Sequence, residues 1–257
     1  MPVTIFNGSS RVSSGNFSVG QQVTSTIVTT NLTHRFDAGN ASSYGGSGTV
    51  WTNLNGSNNL ALVNSPIFVS NGEASRFVFD GADDFMTGSG YLTGSVPKSH
   101  TLNIIGSFAA LPTTFTRYRF FADNANPTSY GLSQPGTGLG PGEVIISQGT
   151  PNFNATVYNP AGAVQFVSQS QTAMFTFVSS NAGIDFYLNG TLLGGTTTDT
   201  FVDDSFISPT RIYYLGSSGG GSSPISMSVA HMMWYSGSLT AAEISQNYNA
   251  LKGRYGI

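Results

Sequence analysis

The residues able to do acid–base or metal chemistry are few, and their spacing limits what they can do. Glutamate occurs only at Glu73, Glu143 and Glu243, and none has another acidic residue two or four positions away. Glycoside hydrolysis by paired carboxylates needs two acids flanking the scissile bond, about 5 Å apart in retaining enzymes. No strand here carries such a pair, so glycosidase chemistry is the least favoured reading. The densest acidic group is Asp80, Asp83 and Asp84. With nearby carbonyls it could offer a hard cation such as Ca²⁺ several oxygen ligands. The competing reading, which we prefer, is a tight turn in which Asp side chains accept local N–H groups.

His34, His100 and His231 lie far apart, with no Cys, Asp or Glu at ligand spacing, and are read as structural. No serine sits between a strand and a helix in a Gly-x-Ser-x-Gly setting. Gly219-Gly220-Gly221 lies in loop sequence, and Lys98 and Lys252 are the only lysines, so no phosphate loop is expected. Aromatic rings remain as ligand platforms: Tyr118, Phe120, Phe121, Tyr130, Tyr158, Tyr213, Tyr214, Trp234 and Tyr235. Core packing accounts for most of them. Exposed rings with amide or acidic partners would suit a glycan.

The elements that must position these residues read as β. Leu102, Ile104 and Phe108 fall on one face of a period-2 run, with Asn103, Ile105 and Ser107 on the other. Ile184, Phe186 and Leu188 alternate with Asp185 and Tyr187, then meet Asn189-Gly190, whose two φ > 0 residues suit a type I′ hairpin. Further strands are expected at 76–80, 117–121, 143–147, 153–158, 163–168, 171–178, 211–215 and 226–235, with Gly/Pro punctuation at 135–142 and 216–224. No β–α–β alternation appears. One helix is expected at 241–251: Thr240 caps it, Glu243 closes the capping box, Leu239 and Ile244 staple it, and Gly253 stops it.

Charged residues make up 8% of the 257, against roughly 25% in typical soluble proteins. Hydrophobic residues are 39% and aromatics 12%, so the chain is not of the disordered class. Ser, Thr, Asn, Gln and Gly must supply the surface, which suits rigid exterior proteins packed against their own copies. Nine scattered Lys and Arg and a net charge of −3 give no basic stripe for nucleic acid. The absence of cysteine fits folding in a reducing cytoplasm. Met1 to Phe6 does not read as a signal peptide. No run approaches the about 18 apolar residues of a membrane helix. Asn31-Leu32-Thr33 and Asn189-Gly190-Thr191 match glycosylation triplets, as chance allows in so Asn-, Ser- and Thr-rich a chain.

Three stretches, in this order, resemble the laminin-G-like, pentraxin-like branch of the concanavalin A-like lectin/glucanase superfamily over about residues 32–252. The first runs from Phe36-Asp37-Ala38-Gly39-Asn40 through Val50-Trp51-Thr52-Asn53-Leu54-Asn55-Gly56 to Phe77-Val78-Phe79-Asp80-Gly81-Ala82-Asp83-Asp84-Phe85. The second is Ile184-Asp185-Phe186-Tyr187-Leu188-Asn189-Gly190-Thr191, and the third runs from Trp234 to Ile244. The resemblance implies an all-β, two-sheet antiparallel jelly-roll sandwich with one short C-terminal helix. It places the sandwich at 32–257 and leaves 1–31 as an extended N-terminal arm. An acidic residue often stands near the position of Ala230 in the matching strand, and its absence weakens the Ca²⁺ expectation at Asp80, Asp83 and Asp84.

Modules of this flavour resemble those of viral structural proteins. The expectation is therefore a non-enzymatic virion component, either a capsid decoration subunit or part of a fibre or tail. It would be made in the host cytoplasm and would partner its own copies, other virion proteins and surface glycans, without nucleic acid, membrane or obligatory cofactor. The alternative is a lectin or adhesin module, and a glycoside hydrolase is a distant third.

Overall fold

The computed structural model describes residues 6–7, 10–11, 25–89, 99–109, 117–123, 128–133, 143–148, 155–158, 171–180, 183–196, 212–217 and 224–257. Two antiparallel sheets face each other. Sheet I runs β16 (Thr191–Thr196), β15 (Gly183–Leu188), β14 (Ala173–Ser180), β9 (His100–Phe108), β18 (Ser226–Tyr235), β7 (Arg76–Asp80) and β6 (Ile67–Val69). The last half of β18 also pairs with β3 (Leu32–Asp37). Sheet II runs β13 (Ala155–Tyr158), β12 (Glu143–Gln148), β11 (Thr128–Ser133), β10 (Arg117–Asp123), β17 (Ile212–Leu215), β8 (Phe85–Ser89), β5 (Leu60–Val63) and β4 (Val50–Trp51). β1 (Phe6–Asn7) and β2 (Ser10–Arg11) pair with each other and join neither sheet. The fold class read from the sequence is the one observed. The strand expected at 163–168 lies outside the described residues.

Between the sheets lies an aromatic core of Phe36, Trp51, Phe77, Phe108, Phe175, Phe177 and Trp234, closed from sheet II by Leu60, Met86 and Leu215. A second apolar cluster forms on the far side of sheet I, where Ile105, Met174, Ala230, Met233 and Tyr235 meet Ile244 and Leu251 of α1 (Ala241–Tyr255). The central strands β9, β14 and β18 are thus buried on both faces. That is why Ile105, Met174 and Met233 are apolar where a half-exposed strand would be polar.

Two backbone features let these strands pack. β18 bulges between Val229 and His231 against β9, and the Ala230 carbonyl accepts from Ala38 N–H at 2.9 Å. Opposite, a Cβ on Gly106 would stand 2.2 Å from the Ser228 carbonyl oxygen, so only glycine fits there. The expected hairpin is present. Asn189 and Gly190 have φ of 50° and 77°, joining Leu188 to Thr191.

The helix starts as expected and ends later. Thr240 Oγ1 accepts from Glu243 N–H at 3.3 Å while the Glu243 carboxylate accepts from Thr240 N–H at 2.8 Å. Gly253, expected as the stop, lies inside α1, which runs to Tyr255 and is capped by Gly256 at φ 67°. Glycine in a helix interior costs only about 1 kcal/mol. Here Leu251, Arg254 and Tyr255 bind the last turn to the sheet and outweigh it.

Residues 25–30, assigned to the arm, run along the helix. Val28 is buried in the second cluster, and its N–H donates to Asn247 Oδ1 at 2.8 Å. Replacing the cap, Thr240→Ala, removes one acceptor at the helix start. The urea midpoint should fall by the equivalent of about 0.5–2 kcal/mol; an unchanged midpoint would show that the cap carries no stability.

Candidate functional site

The sequence brings three groups of interest to different places. The first is the acidic turn between β7 and β8. Asp80, Asp83 and Asp84 do converge, with one ligand oxygen from each lying within 4.8 Å of the others. Two of the three carboxylates, those of Asp80 and Asp84, are also engaged locally. Asp80 Oδ1 accepts from Ala82 N–H at 2.7 Å and from Asp83 N–H at 3.3 Å. These backbone donors hold the Asp80 carboxyl below its ordinary pKa. Asp84 Oδ2 accepts from Asp80 N–H at 3.1 Å. Burial and then the charges of Asp80 and Asp83 push its carboxyl up, against that hydrogen bond. Asn64 Nδ2 donates to the Asp83 carbonyl at 2.9 Å and ties the turn to the end of β5.

The second group was not singled out for chemistry in the sequence. Asp37, on β3, is buried and receives both Nη1 of Arg254 at 2.8 Å and Nη2 of the same guanidinium. Arg35 Nη2 reaches the same carboxylate at 3.3 Å. Burial alone would raise the Asp37 carboxyl, but the Arg254 hydrogen bond and the surrounding positive charges hold it below its ordinary value. The acid is committed to the helix and is not free to act on a substrate. His231 stands beside it, with Nε2 3.4 Å from Arg35 Nε and Nδ1 3.3 Å from the Tyr255 hydroxyl. Arginine can only donate, so Nε2 accepts and Nδ1 carries the proton of the neutral ring. The only advance signal was Asp37 in the Phe36-to-Asn40 stretch; its partner lies 217 positions away.

All three histidines are buried, as structural rings would be. His34 stacks on Phe36 with centroids 6.4 Å apart, and His100 stacks on Trp234 at 5.2 Å. Burial holds His34 and His100 down to about 4. His231 is held to about 3 by burial, with Arg35 and Arg254 acting in the same direction against Asp37.

The third group is the outer face of sheet II. Alternation turns Met86 and Leu215 inward, and both join the inter-sheet core. It turns Val63, Phe85, Thr87 and Tyr214 the other way. Register aligns Val50 with Ala61, Ala61 with Thr87 and Thr87 with Tyr214, and the Tyr214 ring meets Phe85 with centroids 5.8 Å apart. Ile212 and Val50 are 40% and 44% exposed on this face. No charged side chain stands among these residues. Of the aromatic candidates, Trp234 and Tyr235 are core residues and Tyr214 is half-exposed. The side chains of Tyr118, Phe120, Phe121, Tyr130, Tyr158 and Tyr213 lie outside the described residues.

No family model and no curated protein matches the sequence. Solved structures do match. Domain 4 of AbnA, an extracellular GH43 arabinanase from Geobacillus stearothermophilus in complex with arabinotriose, aligns with a TM-score of 0.61 at 14% identity, over 85% of this chain and 98% of that one. Trypanosoma rangeli sialidase aligns at 0.59 and 13% identity, over 88% of this chain. The receptor-binding domain of the botulinum neurotoxin C/D mosaic serotype aligns at 0.60 and 10%, over 85% of this chain. The chain spans 34% of the sialidase and 51% of the toxin domain. The architecture shared with these structures is the two-sheet β-sandwich that the sequence resemblance implied. At these identities the likeness concerns architecture alone. No helix among the described residues is long and apolar enough to cross a membrane.

Two measurements test the electrostatics. If the acidic turn is held by its own N–H groups, excess EDTA leaves the melting temperature unchanged. A fall of several degrees reversed by Ca²⁺ alone would make the turn a cation site, since a ligand at a hundred times its Kd adds about 2.7 kcal/mol. The histidines set an acid limit. Their folded pKa values lie below the unfolded 6.5, so stability is complete above pH 6.5 and is lost as pH falls toward about 4. Each imidazole should cost about 2 kcal/mol by pH 5. Urea midpoints that stay level from pH 7 to pH 5 would show that the rings protonate in place.

Proposed function

We propose that this chain is a non-enzymatic carbohydrate-binding module that presents the outer face of sheet II to a neutral glycan. The observation carrying this reading is the half-exposed Tyr214 ring seated on Phe85, beside the hydroxyl of Thr87, in a row without charge. A sugar ring has an apolar C–H face and a rim of hydroxyls, which suits an aromatic platform bordered by a few hydrogen-bonding groups. Sheet I cannot serve in the same way, because α1 covers its outer face. The arabinotriose complex of the arabinanase domain, whose length this chain matches almost completely, supports the same class of ligand. Carboxylate chemistry is disfavoured because Asp37 is tied to Arg254, and Asp80 and Asp84 are tied to backbone N–H groups.

A second reading, a virion structural subunit that coats or forms a fibre, is favoured by the 8% charge content and by the β1–β2 pair that joins neither sheet. The two readings are compatible, since an exterior subunit can also hold glycans.

A panel of neutral oligosaccharides tests the first. Binding of at least one, weakened tenfold or more (about 1.4 kcal/mol) in Tyr214→Ala with unchanged circular dichroism, supports it, and no reducing sugar should be released. A blank panel, or binding indifferent to Tyr214, refutes it. A blank panel together with co-sedimentation on purified particles would move the assignment to the structural reading.

A further inference from the structure

Asparagine is followed directly by glycine at Asn7, Asn55, Asn71 and Asn189. In such a pair the glycine nitrogen can attack the asparagine Cγ, because glycine has no Cβ to block the approach. The reaction needs a carboxamide free to swing, a backbone N–H not already engaged, and room around the glycine. Gly8 lies outside the described residues, and the other three pairs can be compared.

Two of them are restrained. Asn189 Oδ1 accepts from Met174 N–H at 2.8 Å, while Asn189 N–H donates to the Met174 carbonyl at 2.9 Å. A Cβ on Gly190 would stand 3.1 Å from Tyr248 Cβ, so the helix crowds that turn. Asn55 donates from Nδ2 to the Leu32 carbonyl and from its N–H to Asn53 Oδ1 at 3.0 Å. A Cβ on Gly56 would meet Asn53 Nδ2 at 3.0 Å and the Thr33 carbonyl oxygen at 3.4 Å.

Asn71 differs on every count. Its main chain is fixed, with its N–H donating to Ser75 Oγ at 2.9 Å and its carbonyl accepting from Ala74 N–H at 3.0 Å. Among the described residues its carboxamide has no hydrogen-bond partner, and neither has the Gly72 N–H. Both residues are exposed, and beyond the chain neighbours no atom lies within 4 Å of where a Cβ on Gly72 would stand.

We propose that Asn71 is a self-modification site, at which the carboxamide becomes a carboxylate without an enzyme. The Gly72 nitrogen bonds to Asn71 Cγ and gives up its proton, and the bond from Cγ to the amide nitrogen breaks, releasing ammonia. Water then opens the cyclic imide. Opening at Cγ leaves an ordinary aspartate; opening at the main-chain carbonyl leaves an isoaspartate, whose backbone runs through the side-chain methylene. The place matters because the Glu73 carbonyl accepts from Arg254 Nε at 2.6 Å. A lengthened main chain at position 71 draws that carbonyl off Arg254 and loosens the end of α1, whereas plain aspartate keeps the backbone. This inference stands independently of the glycan reading.

The test uses the full-length protein held at mildly alkaline pH, with mass spectrometry of its peptides following amide-to-acid conversion at each pair. In the folded chain Asn71 should convert at least fivefold faster than Asn55 and Asn189. In guanidinium chloride, where only sequence distinguishes them, the rates should converge. Gly72→Ala should slow conversion at Asn71 at least fivefold. Asn55 or Asn189 matching Asn71 in the folded chain overturns the site, as does an Asn71 that converts only when unfolded. The isoaspartyl species, separated by chromatography, should unfold at a lower urea concentration than Asn71→Asp. Equal midpoints overturn the loosening of α1.

Discussion

Burial of the Asp37 carboxylate is the constraint around which the helix side of the molecule is arranged. An ionised carboxylate away from water is tolerated only when paired and hydrogen-bonded. Arg254 supplies both from the last turn of α1, Arg35 adds a second positive group, and Gly39 N–H donates to Oδ1 at 3.1 Å. Because Arg254 Nε also donates to the Glu73 carbonyl at 2.6 Å, one guanidinium joins β3, the loop before β7 and the end of the helix. Removing one partner of such a buried pair costs about 3–5 kcal/mol, far more than forming it gains over an apolar pair. The arrangement is better understood as fixing where the helix ends than as adding stability. Gly39 follows from it: a Cβ there would lie 2.1 Å from the Glu73 oxygen and 2.6 Å from the Arg254 guanidinium.

Holding α1 in that position makes sheet I a middle layer. Its central strands then need apolar residues on both faces, and the few polar ones must find partners. Thr101 Oγ1 donates to the Gly237 carbonyl and accepts from Leu239 N–H, both at 2.9 Å, which leads the chain from β18 into the helix cap. Asn247 and Tyr235 meet the backbone of Val28 in the same layer. The histidines belong to this picture too. Stacked or hydrogen-bonded and neutral, they are packing groups, and acid is their cost.

Closing one outer face leaves the other as the face on which we propose that a glycan binds. On sheet II the inward residues complete the aromatic core while the outward ones form an uncharged row that includes Tyr214. The acidic turn sits at the start of β8, directly before Phe85. The Asp80 and Asp84 carboxylates accept the turn N–H groups at this strand entry. Site and scaffold therefore share one loop.

The local elements were legible in the sequence because their signals are local. Asn189-Gly190 encodes its turn through two left-handed residues, and Thr240 with Glu243 encodes the helix start through one capping box. Alternation marked the strands, and motif order marked the sandwich. The position of the helix end was not legible, because Gly253 looks like a stop until Arg254 is seen to reach Asp37. Nor was the role of residues 25–30, which read as an arm until Val28 meets Asn247 219 positions away. The candidate face was half visible: Tyr214 stood among nine rings, of which only Trp234 and Tyr235 were marked out, by the third family-like stretch. The sequence by itself determined strand, turn and cap, where the physics acts within a few residues. Which rings are core, which acid is neutralised and which face stays open depended on contacts between distant segments, and only the tertiary structure decided them.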